Sequence, residues 1–179
     1  MIHKTRYICA LGMISAMAYS VMLAVRIPAA SFLTYDPKDV VLCLGGFLLG
    51  PAGAVLAGAA TAVMEMVTVS DTGIVGALMN MMASACFAGT AAWQYRKRPT
   101  PVGAAEGLLA GTLAMTIWMT LWNYWITPLY LGFPREVVVP LLYTLIIPFN
   151  LVKGTVNTVL VWLLYRPVLS AVRRYGIKE

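Results

Sequence analysis

Apolar runs of roughly membrane-spanning length recur along this chain, separated by short stretches of proline, glycine and charge. That recurrence constrains the fold more than any single motif. A helix needs about 20 apolar residues to cross the hydrocarbon core, and it satisfies its own backbone polar groups as it does so. With 60% hydrophobic and 11% charged residues over 179 positions, and a mean hydropathy of +0.80, the chain is too apolar for a soluble domain. The sequence predicts one all-α integral membrane bundle over residues 1–179, crossing the bilayer several times.

The breaks set the spans. The first run covers roughly 7–25 and ends at Arg26-Ile27-Pro28. A loop with Ser31, Thr34, Tyr35, Asp36 and Pro37 follows, and Asp39 opens a second, short run to about Leu49. Gly50-Pro51 breaks it, a third run covers about 52–68, and Ser70-Asp71-Thr72-Gly73 is turn chemistry. Further runs cover about 74–95, 103–126 and 137–165. Pro140 and Pro148 should kink or break the last, with a short helix or loop before Pro148. The count is six. His3, Lys4 and Arg6 before an apolar run imitate a secretion signal, with Ala29-Ala30-Ser31 as a cleavage site. The run of about 19 residues exceeds a signal core and reads as a retained span.

Charge tests that count. With six spans both termini share a side with the breaks at 50–52 and 94–102, gathering Lys4, Arg6, Arg96, Lys97, Arg98, Arg166, Arg173, Arg174 and Lys178. The other side has Arg26, Lys38 and Arg135. Nine against three is a positive-inside pattern and places both termini in the cytoplasm. Because the basic residues cluster at run ends rather than on one face, the net charge of +6 implies the lipid bilayer as partner and no nucleic acid. Cys9, Cys43 and Cys86 are far apart and apolar in context, so they read as packing residues, with no disulfide framework or metal site. No phosphate-binding lysine loop occurs.

The polar residues inside the runs carry the function. Asn150, Lys153 and Asn157 fall on one helical face, while Leu151, Val152 and Val156 point elsewhere. A lysine at mid-membrane costs about 2.5–3.5 kcal/mol on insertion scales, so it needs a partner, read here as a ligand. Asn123, with Tyr124 beside it, adds another amide among aromatics, and Phe149 another ring. Such a set suits a flat heteroaromatic ring with adjacent N–H and C=O groups; the competing reading is polar bonding between helices. Glu65 is read as pairing with a polar neighbour to fix the bundle, and Asp39 as a helix N-terminal acid near the membrane surface. Gly12, Ala16 and Ser20 recur at four-residue intervals on the first span. Small residues so spaced let another helix approach, from this bundle or from a separate subunit.

The segments Phe32-Leu33-Thr34-Tyr35-Asp36-Pro37-Lys38-Asp39, Gly45 to Pro51, Asn123-Tyr124 and Pro148-Phe149-Asn150-Leu151-Val152-Lys153-Gly154 resemble, in order over nearly the whole chain, the riboflavin-specific substrate-binding (S) component of energy-coupling factor transporters. The resemblance implies a six-helix S-component fold in a prokaryotic cell membrane. It implies riboflavin as transported ligand with no cofactor, and a partner module of a transmembrane coupling protein and two ATPases. The chain itself would not be an enzyme. It further implies that Asn123, Asn150 and Lys153 hold the ring, that the Tyr35-Asp36 loop closes over the ribityl chain, and that Gly12, Ala16 and Ser20 dock the coupling protein. Cargo such as FMN or another vitamin or precursor stays open. A self-sufficient ion-coupled carrier would need a relay of embedded acids, for which only Glu65 is in view.

Overall fold

A computed structural model describes residues 2–30, 33–69, 73–132 and 134–174. Ser31 and Phe32 of the family-like loop, and the Ser70-Asp71-Thr72 turn, lie outside the described residues. The chain is nearly all helix: α1 (Ile2–Ala24), α2 (Lys38–Thr68), α3 (Gly73–Ser84), α4 (Thr90–Lys97), α5 (Pro101–Leu131), α6 (Arg135–Leu141) and α7 (Ile147–Arg174). Five segments are long and apolar enough to cross a membrane: Lys4–Ala24, Lys38–Thr68, Gly73–Lys97, Pro101–Tyr130 and Arg135–Val172.

The second of these is not a rod. Gly50 has φ 82° and ψ 174°, a conformation that glycine alone adopts readily, and Pro51 follows it without a backbone N–H to give. The chain turns back on itself there. Lys38 Nζ lies 2.5 Å from Glu65 Oε2, although the two residues would stand about 40 Å apart in a straight helix. A Cβ placed on Gly46 would come within 2.8 Å of the Ala54 Cβ and 2.9 Å of the Ala92 Cβ. The two arms of α2 and the neighbouring α4 therefore meet where only a hydrogen fits.

Prolines and caps explain the other boundaries. Thr100 accepts from the Gly103 N–H at 3.1 Å with Pro101 in the first turn of α5, a strong start signal, and Gly132 ends α5 in the left-handed region. The expected interruption before Pro148 is a short α6 joined to α7 by a π-helical turn over Leu142–Ile146. A second such turn, Ala85–Gly89, joins α3 to α4. The expected end of the last run near residue 165 is corrected, because α7 carries Pro167 within it and runs on to Arg174. The expected loop after the first span also needs correction. Ile27–Ala30 (β1) and Leu33–Tyr35 (β2) pair antiparallel, with Ile27 opposite Tyr35 and Pro28 opposite Thr34. This hairpin delivers Tyr35 and Asp36 onto the start of α2.

The core is built mainly from α2, α3, α4, α5 and α7, with Phe47, Phe87, Leu108, Met115 and Val161 buried in it. On α1 the buried side is Ile14, Ser15, Ala18 and Met22. Gly12, Ala16 and Ser20 are exposed on the other side, so the small-residue stripe is left unused by the bundle itself.

Candidate functional site

Five charged side chains are buried at the end of the bundle where the β-hairpin enters: Asp36, Lys38, Asp39, Glu65 and Lys153, none more than 8% exposed. Isolated charges in such surroundings are prohibitively costly, so each must be neutralised by a neighbour. The pairing forms a closed circuit that begins and ends on α3. Asn80 donates to Glu65 Oε1 at 3.0 Å, and Glu65 Oε2 receives Lys38 at 2.5 Å. Lys38 stands 3.7 Å from Asp36 Oδ2, the same oxygen lies 3.7 Å from Lys153 Nζ, and Lys153 is 3.5 Å from Asp39 Oδ2. Ser84, one helical turn beyond Asn80, closes the circuit on Asp39 Oδ1 at 2.5 Å. Thus the loop, both arms of α2, α3 and α7 are tied at one level.

The circuit corrects three expectations. Lys153 does not wait for a ligand as its partner; Asp36 and Asp39 already flank it. Asp39 does stand in the first turn of α2 as expected, but it is fully buried and bound to Lys153 and Ser84, so a helix N-terminal role does not account for it. Glu65 is consequently not the only acid deep in the bundle, although its pairing with Lys38 and Asn80 is of the kind expected. Sequence reasoning gave Lys38 no role in the site and missed Asn80 and Ser84 altogether. The available signal was Asn80, an amide inside an apolar run, and the Lys38-Asp39 dipeptide at the mouth of another.

The predicted stripe on α7 is present. Asn150, Lys153 and Asn157 are 3%, 8% and 0% exposed, against 39%, 62% and 39% for Leu151, Val152 and Val156. Tyr35 Oη donates to Asn157 Oδ1 at 3.0 Å, linking the hairpin to the stripe. The Asn150 amide donates to its own helix at Ile146 O (2.8 Å). Asn123 likewise stays within α5, donating to Met119 O and accepting from Thr127. Tyr124 packs on the Val138, Leu142 and Ile146 cluster beneath the Arg135 guanidinium, 5.7 Å from its ring. Phe149 and Thr34 are half-buried. The structure therefore pairs Tyr35 with Asn157 and Asp36 with Lys153 by direct contact, and leaves Asn123, Asn150, Tyr124, Phe149 and Thr34 outside those contacts.

Among the described residues, four buried polar atoms have no hydrogen-bond partner: Asp36 Oδ1, Asp39 Oδ2, Asn157 Nδ2 and Trp118 Nε1. Buried groups are rarely left so. Three of the four belong to the circuit or to Tyr35's partner. Burial by itself pushes the Asp36 carboxyl up, but Lys153 and Lys38 outweigh it and hold its pKa below the ordinary carboxylate value. Burial raises the Tyr35 phenol, which stays a neutral donor. The end of the bundle thus offers one carboxylate oxygen outside every hydrogen bond and ion pair, Asp36 Oδ1, a second, Asp39 Oδ2, held by Lys153 alone, and an amide N–H as donor on Asn157. An open apolar recess of about 580 Å³ lies elsewhere, lined by Pro51, Val55, Ala85, Gly89 and Trp93 among others, and holds none of these groups.

Comparison with known proteins fits this picture. Residues 6–165 match the family described as the substrate-specific component of ECF transporters. The chain is 29% identical to the riboflavin transporter RibU of Staphylococcus aureus (strain TCH60), over 96% of this chain and 94% of that protein. Its fold superposes on a solved S component of a bacterial ECF transporter with a TM-score of 0.79 at 26% identity, covering 94% of this chain and 98% of that one. With helices built to cross a bilayer and a family match along nearly its whole length, this chain belongs to the membrane-embedded substrate-specific components of ECF transporters.

Proposed function

We propose that the chain is the riboflavin-capturing subunit of an ATP-driven vitamin importer in a prokaryotic cell membrane. The observation that carries this reading is the buried stripe Asn150-Lys153-Asn157 beside unsatisfied polar atoms of Asp36, Asp39 and Asn157. A flavin brings complementary groups: imide N–H and carbonyls on a flat ring, hydroxyls on a ribityl tail. The ring would lie toward Asn123, Tyr124 and Asn150, and the tail toward Asp36, Asp39 and Asn157, with Thr34, Tyr35 and Phe149 at the rim. The likeness to a riboflavin transporter supports the same cargo.

In this reading the reversal at Gly50 makes two crossings of α2, giving six in all. Both termini and the Arg96-Lys97-Arg98 cluster then face the cytoplasm, and the hairpin end faces outward. The ligand enters beside the β-hairpin. Lys153, held at 3.5 Å and 3.7 Å rather than by short bonds, turns from the acids toward the ring. Energy comes from two ATPase subunits through a transmembrane coupling protein, which packs on the exposed Gly12, Ala16 and Ser20 stripe of α1 and reorients the loaded subunit.

Titration of the purified protein with riboflavin, read by quenching of flavin fluorescence, tests the reading. Saturable quenching is expected. Asn150→Ala should weaken it about 5- to 150-fold, the effect of stranding a buried polar group at about 1–3 kcal/mol. Absence of saturable quenching by the wild-type protein sinks the proposal.

A further inference from the structure

The circuit has an imbalance that ligand capture can use. Three carboxylates, Asp36, Asp39 and Glu65, share two ammoniums, Lys38 and Lys153, a formal sum of one negative charge. Glu65 is satisfied at both oxygens by Lys38 and Asn80. The uncompensated character therefore falls on Asp36 and Asp39: Asp36 Oδ1 has no hydrogen-bond partner, and Asp39 Oδ2 is held by Lys153 at 3.5 Å, a cation it shares with Asp36. Both lysines already stand between two acids. A further anion entering here finds neither lysine free of acids; it finds the bare Asp36 Oδ1 and, beside it, Asp39, carboxylates that can only accept. The Asn157 amide N–H, on the helix turn after Lys153, is also unpartnered and fully buried, so a donor stands with those acceptors.

We propose that Asp36 and Asp39 form a charge filter, admitting a neutral polyol tail with a hydroxyl that donates to Asp36 Oδ1 and rejecting the same ligand bearing a terminal phosphate. This rests on the flavin reading above and adds which flavin is taken. Like charges at close range in a medium of low effective dielectric repel by several kT, so the discrimination is large. The other charged or titratable groups do not reverse it: Tyr35 is a neutral phenol bound to Asn157, Arg26 before β1 is exposed and donates to Val69 O, and Arg135 lies over the Tyr124 and Trp125 rings on α5, toward the ring rather than the tail.

The experiment compares riboflavin with its 5′-phosphate by fluorescence quenching on the wild-type protein, Asp36→Asn and Asp39→Asn. The wild type should bind riboflavin at least about tenfold more tightly than the phosphate ester, and each asparagine variant should narrow that gap about fivefold or more. General damage to the fold would weaken both ligands together and leave the ratio unmoved, so the ratio is the readout. A gap unchanged in both variants while riboflavin still binds overturns the filter and leaves the flavin reading standing. Failure of riboflavin to bind the wild type overturns both. Should a variant not fold, the wild type alone decides. Between about pH 8 and about pH 5.5 the phosphate monoester loses much of its second charge, so the gap must narrow on acidification, and a flat ratio overturns the filter.

Discussion

At the Gly50 end of the bundle Phe47, Tyr95 and Tyr165 meet with ring centroids 4.5, 5.9 and 6.0 Å apart, above the hydrogen-sized gap between Gly46, Ala54 and Ala92. At the hairpin end elements of the same bundle are joined instead by the circuit from Asn80 to Ser84. Between helices in lipid there is no hydrophobic drive, so shape and polar bonding must hold them. Close packing has one good arrangement. An ionic circuit in which each lysine stands between two acids has alternatives nearly equal in energy, provided something replaces the lost partner. The contrast shows which end of this molecule is built to rearrange: under the proposed function it is the charged end, while the packed end holds the frame.

The largest test removes a circuit member. Glu65→Ala leaves Lys38, only 2% exposed, with Asp36 alone at 3.7 Å. Breaking a buried pair on one side costs about 3–5 kcal/mol, so a large fall in resistance to thermal unfolding in detergent is expected. A loss under about 1 kcal/mol would mean the circuit is wet. At the packed end Gly46→Ala should cost about 1–3 kcal/mol through overpacking. It should leave the ratio of riboflavin to phosphate-ester affinity untouched, and a shifted ratio would deny the division of labour. Smaller still, Tyr35→Phe removes the donor to Asn157 Oδ1. About 0.5–1.5 kcal/mol is expected, visible mainly as weaker riboflavin binding because the hairpin loses its tie to α7.

The packed end was far more legible than the charged one. Gly50-Pro51 announced the reversal because a glycine needed at positive φ and a proline without a donor leave few other conformations. The α7 stripe followed from helical spacing alone. What hid the circuit is that ion pairs over long sequence separations have no periodicity: Lys38 and Glu65 are brought together only by the Gly50 turn, and Asp36 reaches Lys153 only because β1 and β2 pair. Ile27, Leu33 and Tyr35 carry the β preference for that hairpin, but three or four residues among prolines and alanines give too weak a signal. Lys153 looked unpartnered for the same reason: its acids lie more than a hundred positions earlier.

The last test separates the circuit from the frame by pH and is silent near neutrality. Asp36 has its folded-state pKa lowered from the ordinary 3.8, with burial opposing and Lys153 and Lys38 prevailing. A carboxyl so shifted adds stability that is fully present above the unfolded value and is lost as pH falls through the folded one. The loss belongs below pH 3.8. Asp39 and Glu65 also lie in the circuit, so the wild-type curve alone cannot isolate Asp36. The difference in stability between wild type and Asp36→Asn can: it should be constant at milder pH and shrink as pH drops below that value, since the protonated acid and the amide are then alike in charge. Measured in Gly46→Ala as background the difference should follow the same course, because packing at the far end does not titrate. A difference that stays constant into acid would mean that Asp36 is not engaged with the lysines, and that the charged end is held by Lys38 and Glu65 alone.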